Sequence, residues 1–118
     1  MPTSVETRAV IRVLEQFKSI DPDITLPSML ALLYIAEDDG ERENQWHMEQ
    51  KLGMSNATAS RAASHWFKWK RPKVAGHDFM VSEVDPDDRR YKILHLTPRG
   101  RKFIDQIKEA YHGKQARH

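Results

Sequence analysis

The sequence predicts a mostly helical α+β fold in a single domain. Three observations lead there. Apolar residues recur with helical spacing in several capped stretches, and two adjacent β-prone runs come late in the chain. The 118 residues, 39% hydrophobic and 31% charged, suffice for one core but not two.

The first helix opens at Thr3-Ser-Val-Glu6, which has capping-box spacing. Its apolar residues are Ala9, Val10, Val13, Leu14, Phe17 and Ile20, and Asp21-Pro-Asp23 ends it, since proline disfavours a helical residue before it. Thr25 caps a second helix with Pro27 in its first turn, where a missing N–H costs little. The run Met29 to Ala36 could be a buried strand or a buried helix. Its Leu, Ala and Met content and the flanking cap favour a central core helix, stopped by Glu37-Asp-Asp-Gly40.

Asn44 caps a short third helix to about Leu52, Gly53 permits a tight turn, and Ser55 caps a fourth helix through about Phe67. Residues 68–78 read as a loop broken by Pro72 and Gly76. The strands are Phe79 to Val84 and Tyr91 to Leu96, and Thr97-Pro98 opens a last helix with the stripe Phe103, Ile104, Ile107, Ala110 and Tyr111. The tail 113–118 is expected to be disordered. The order is helix, helix, helix–turn–helix, hairpin, helix. It suggests a winged helix-turn-helix with a two-stranded wing and flanking N- and C-terminal helices, the helix-turn-helix at 44–67 and the wing at 79–96.

Charge is sorted along the chain. Residues 1–54 carry 5 Lys/Arg against 10 Asp/Glu, and residues 55–118 carry 14 against 7. A basic C-terminal half points to a polyanion, and chance sorting of a mixed-sign surface is the plain alternative. The fourth helix sharpens the point. Ala59, Ala62, Ala63 and Trp66 fall on one stripe, and Asn56, Ala57, Ser60, Arg61, Ser64 and His65 fall elsewhere. Short polar side chains with one arginine suit a helix in a major groove, where arginine can bond guanine bidentately. Ser55 and Thr58 are better placed for phosphate, beside the positive helix N-terminus. The alternative is that Ser, Asn and Thr only cap the helix and cover a solvated face. Lys68, Lys70, Arg71 and Lys73 are candidate phosphate ligands. Trp66 is core by phase, and Trp69 is open.

Four segments in order resemble the MarR family of winged helix-turn-helix transcription regulators. They are Ile24 to Leu33, Met48 to Ser55, Thr58-Ala-Ser-Arg61, and Asp85-Pro-Asp-Asp-Arg-Arg90 running on to Leu96-Thr-Pro-Arg-Gly100. The resemblance covers about residues 24–108. It implies a homodimer, held by its N- and C-terminal helices, on a roughly two-fold symmetric double-stranded DNA site. One recognition helix enters each major groove and one wing arginine each flanking minor groove. The matching arginine is Arg90, with Asp88 as its partner and Arg89 beside it. The chain departs from the family pattern in its longer, more basic 68–78 loop, in Glu49 where small alanine is common, and in its short flanking helices. Without cysteine, the thiol switch of some relatives is excluded.

Other chemistry lacks a signature. The six histidines form no i, i+4 pair, and there is no phosphate-cradling glycine loop, nucleophile elbow or paired acid. No catalytic residue, metal or cofactor is expected, and no enzyme activity. The longest apolar run is shorter than the roughly 20 residues that span a bilayer. No signal segment opens the chain, so a cytoplasmic location is expected. The leading expectation is a dimeric DNA-binding regulator, a repressor, with any small-molecule effector unknown. The rivals are a winged-helix module that grips a transcription or replication protein, and a DNA replication or packaging accessory.

Overall fold

A computed structural model describes residues 4–38, 42–71 and 73–113. Its elements are α1 (Val5–Ile20), α2 (Leu26–Glu37), β1 (Arg42–Asn44), α3 (Gln45–Leu52), α4 (Asn56–Ser64), β2 (Trp69–Arg71), β3 (Val74–Ala75), β4 (Met80–Val84), β5 (Lys92–Leu96) and α5 (Pro98–Tyr111). The caps explain most boundaries. Thr25, Asn44, Ser55 and Thr97 each accept a backbone N–H at the start of α2, α3, α4 and α5. Gly53 ends α3 in the left-handed region at φ 63°.

Three expectations change. Ser4, not Thr3, caps α1 by accepting from the Thr7 amide; Thr3 lies outside the described residues. The fourth helix stops at Ser64, short of Phe67, because the Trp66 and Phe67 amides bond to Ala63 and Ser64 in tighter turns. The 68–78 segment is not all loop, for β2 and β3 pair across it. The two-stranded wing is the hairpin of β4 and β5, and it gains a strand the sequence did not reveal. β1 joins it in a sheet of order β1-β5-β4, antiparallel throughout, with Glu43 opposite Leu94 and Ser82 opposite Leu94 on the other side. Three-residue strands leave too short a period-two pattern to read. Gly40, Pro72 and residues 114–118 lie outside the described residues.

The core explains why α4 is rich in alanine. Ala59, Ala62 and Ala63 are buried, as is Ala31 of α2, and small side chains let these helices approach closely. Trp66 follows the helix and is fully buried. Its indole stacks on Phe79 at 5.7 Å between centroids, and Phe79 stacks on Phe103 of α5 at 5.0 Å. Its Nε1–H donates to the Ser28 carbonyl at 2.6 Å, satisfying the one polar group a buried indole carries. One residue thereby joins α4, the wing, α5 and the start of α2.

Helix α1 packs along α5, with Ala9 and Phe17 buried. Arg12 donates from Nε to the Ala110 carbonyl at 2.6 Å and from Nη2 to the Tyr111 carbonyl at 3.1 Å. A guanidinium thus meets the negative end of α5, where carbonyls lack helical partners. The apolar positions of α1 divide. Val13, Phe17 and Ile20 join the core, whereas Val10, Ile11 and Leu14 stay exposed, as does Tyr111 of α5.

Candidate nucleic-acid interface

Helix α4 presents Asn56, Ala57, Ser60 and Arg61 to solvent, with Ser55 exposed at its cap and Thr58 half-buried beside it. Ser55 Oγ accepts the Thr58 amide at 3.2 Å and donates to Thr58 Oγ1 at 3.1 Å. The Ser55 hydroxyl therefore serves the cap, and Thr58 Oγ1, an acceptor in this pair, keeps its own O–H to donate. Ser64 is half-buried and bonds back to the Arg61 carbonyl. His65 departs from its expected outward placement. It caps the end of α4 and turns inward, its ring 4.8 Å from that of Trp66 and its Nε2 3.2 Å from Asp21 Oδ2. Only 15% of the side chain is exposed, so His65 does not belong to the outward face. The backbone of His65 is still helical, at φ −54° and ψ −31°, so Asp21 and the Trp66 ring it packs on, both outside the reach of a helical-phase argument, draw it inward.

The wing tip answers a question the sequence raises, namely why three aspartates and two arginines crowd between two strands. Asp85 is buried at the root. Its Oδ1 accepts the Asp87 amide at 2.8 Å, and its Oδ2 accepts from Asn44 Nδ2 at 3.0 Å. The Asp87 amide above all, with help from Asn44, holds the Asp85 carboxyl below its ordinary range. Asp88 binds Arg90 bidentately, accepting Nε at 2.9 Å and Nη2 at 2.7 Å, and its Oδ1 also accepts the Arg90 amide at 3.2 Å. That fork lowers the Asp88 pKa and raises that of Arg90. Arg90 nonetheless stays 79% exposed. Its guanidinium also lies over the Tyr91 ring at 5.4 Å. Asp88 and Arg90 are thus paired as expected, with the arginine held outward. Arg89 is exposed beside it.

The two parts meet in one groove of about 220 Å³. Asn56, Ser60 and Ala63 of α4 form one wall, Ser82, Arg90, Tyr91 and Lys92 of the wing the other, and Gln45 and Glu49 of α3 the end. Lys92, Gln45 and Tyr91 carry no motif and escape a sequence reading; only folding brings them beside Asn56. A second groove borders it, sharing Phe67 and Ser82 and carrying Lys68 and Trp69. Lys68 is exposed there. Lys73 is exposed in the turn between β2 and β3, in the left-handed region at φ 64°. Lys70 and Arg71 lie on β2, and their side chains are outside what is described.

Comparison with solved structures bears on this arrangement. The chain overlays RV1404 from Mycobacterium tuberculosis with a TM-score of 0.68 at 19% identity, covering 88% of this chain and 64% of that one. It overlays Sco3205, a MarR family transcriptional regulator from Streptomyces coelicolor in complex with DNA, with a TM-score of 0.65 at 16% identity, covering 92% and 63%. The fold is the MarR-like winged helix. A third neighbour is the transcriptional repressor CouR bound to a 23-mer DNA duplex, at a TM-score of 0.58 and 25% identity, covering 92% of this chain and 70% of that one. The MarR-like fold here spans less than two thirds of the length of the first two neighbours. No family profile matches the sequence, and no curated protein matches it. Among the described residues, no helix is long and apolar enough to cross a membrane.

Proposed function

We propose that this chain is a sequence-specific double-stranded DNA-binding transcription regulator, acting as a homodimeric repressor and not as an enzyme. The observation that carries the reading is the shared groove, in which exposed Asn56 and Ser60 of α4 and the outward-held Arg90 border the same concave surface, with Arg61 and Thr58 on the next groove along the helix. Two structural neighbours are solved on DNA, and one of those is a repressor. The cytoplasmic location expected from the sequence goes with this reading.

In this mechanism α4 is the recognition helix. Asn56, Ala57, Ser60 and Arg61 approach base edges in the major groove, with Arg61 the residue able to make a bidentate contact to guanine. Ser64 sits behind them. Ser55, Thr58 and the amides of the first turn take a phosphate. Arg90 enters the neighbouring minor groove. Asp88 takes two of the five guanidinium N–H groups, which leaves three for DNA and fixes the side chain before binding. Lys68, Lys70, Arg71 and Lys73 meet flanking phosphates, as does Arg89 on the wing. The exposed apolar residues of α1 and Tyr111 support a dimer through the flanking helices.

Selection of bound duplexes from a random pool tests this directly. A palindromic consensus is expected, and Arg61→Ala should cost about 1–3 kcal/mol on it and relax one base position. Recovery of no preferred duplex, with no salt-dependent duplex binding, would overturn it. One observation favours the protein-interaction rival, for Trp69 is 55% exposed. If Trp69→Ala abolished capture of a protein partner while duplex binding was absent, that rival would replace the DNA reading.

A further inference from the structure

Three residues distant in sequence converge behind the recognition helix. Asp21 ends α1, His65 ends α4, and His77 lies in the segment before β4. Each offers one ligand atom, and these three atoms all lie within 4.8 Å of one another. All three residues are half-buried. The His65 and His77 rings are 5.5 Å apart, and both pack on Trp66, at 4.8 and 5.6 Å between centroids.

We propose that Asp21, His65 and His77 form a binding site for a first-row divalent metal ion, with zinc as its best fit. Two imidazole nitrogens and one carboxylate oxygen are the ligand types such ions take, and three protein ligands leave a fourth position for water. Tetrahedral zinc with bonds near 2.0–2.1 Å holds its ligand atoms about 3.3 Å apart. Asp21 and His65 already stand at that spacing, 3.2 Å apart. Only the third ligand has to close in, which rotation of a half-buried side chain can supply. The carboxylate that now pairs with His65 would bind the ion beside it, so neither charge is left uncompensated. The fully buried Trp66 beneath gives the imidazoles a rigid floor. Bound metal would clamp the end of α1 to the end of α4 and to the segment feeding the wing. The site goes beyond the DNA-binding reading and stands without it.

Titration of the full chain with Co(II) reads the site optically. One equivalent is expected to bind and give the intense visible bands of a four-coordinate N/O site, with zinc displacing cobalt. Asp21→Asn and His77→Gln should each abolish the bands, while His47→Gln and His112→Gln should keep them. Zinc should raise the melting temperature of the wild type and not of the variants, because only the folded chain brings the three ligands together. Should a variant fail to fold, histidine ring resonances of the wild type decide the matter. Zinc should shift those of His65 and His77 and spare those of His47 and His95. No saturable cobalt binding, or binding that survives both substitutions, would overturn the proposal.

Discussion

Asn44 and Asp85 hold the start of α3 to the wing. Asn44 Oδ1 caps α3 by accepting the Trp46 and His47 amides, while its Nδ2 donates to the buried Asp85 carboxylate at 3.0 Å. One side chain thus sets both the start of α3 and the root of the wing. Asn44→Ala is expected to cost about 1–2 kcal/mol of stability through the lost cap alone. Asn44→Asp keeps a capping acceptor but sets a second carboxylate against Asp85. Its destabilisation should vanish in combination with Asp85→Asn, which a double-mutant cycle in urea checks. Equal destabilisation in both backgrounds would show that the two residues act separately.

Acid should loosen the wing first. The folded pKa of Asp85 lies below the ordinary aspartate value of 3.8, chiefly because its carboxylate accepts the Asp87 amide. Asp88 is depressed too, chiefly by the Arg90 fork. A depressed carboxylate contributes stability that is fully present above its unfolded pKa and is lost as pH falls through the folded one. Stability should therefore fall as pH drops below 3.8. Asp85→Asn should flatten that acid limb while leaving the slope near neutrality unchanged. Urea melts across the pH range measure it, and an unchanged acid limb would remove Asp85 from this role.

Gly100 marks a backbone contact. A Cβ added there would stand 2.1 Å from the Phe79 carbonyl oxygen. That carbonyl accepts the Thr97 amide at 3.0 Å, Thr97 Oγ1 donates to the Asp78 carbonyl at 2.6 Å, and the Gly100 amide donates back to Thr97 Oγ1 at 3.0 Å. The Leu-Thr-x-x-Gly run is thus a docking device that seats the start of α5 on the strand entering the wing. Gly100→Ala should destabilise by about 3 kcal/mol, since the clash is with backbone and cannot be relieved by a rotamer. Thermal melting would show it, and a neutral substitution would mean the α5 start can slide.

Asp88 offers a test by sign. If it were only a charge near DNA, Asp88→Ala would strengthen duplex binding by removing repulsion. If it positions Arg90, the same change should weaken binding several-fold, mostly at A·T-rich flanks where a narrow minor groove attracts arginine. Arg90→Ala should produce the same flank-specific loss, and the double variant should be no worse than Arg90→Ala. Affinity measured on duplexes with exchanged flanks separates the two cases.

Much of the fold was legible because it depends on local chemistry. The side chains of Thr25, Asn44, Ser55 and Thr97 satisfy amides within the next turn, so a cap can be read from a few residues. The alanine stripe of α4 shows as a period along one helix, although it packs on distant α2, and the Asp88–Arg90 pair spans only two residues. What escaped depends on partners far along the chain. β1 is a strand only because β5 offers it an edge. His65 leaves the outward face because Asp21 and His77 wait behind it. Lys92 joins Asn56 only when the wing folds beside α4. The sequence by itself therefore determined the capped helices, the buried stripe and the charged tip, all set by short-range hydrogen bonding and periodicity. Only the tertiary structure decided which charges share a surface and which histidines lie side by side, because those distances are set by the packing of elements and not by spacing along the chain.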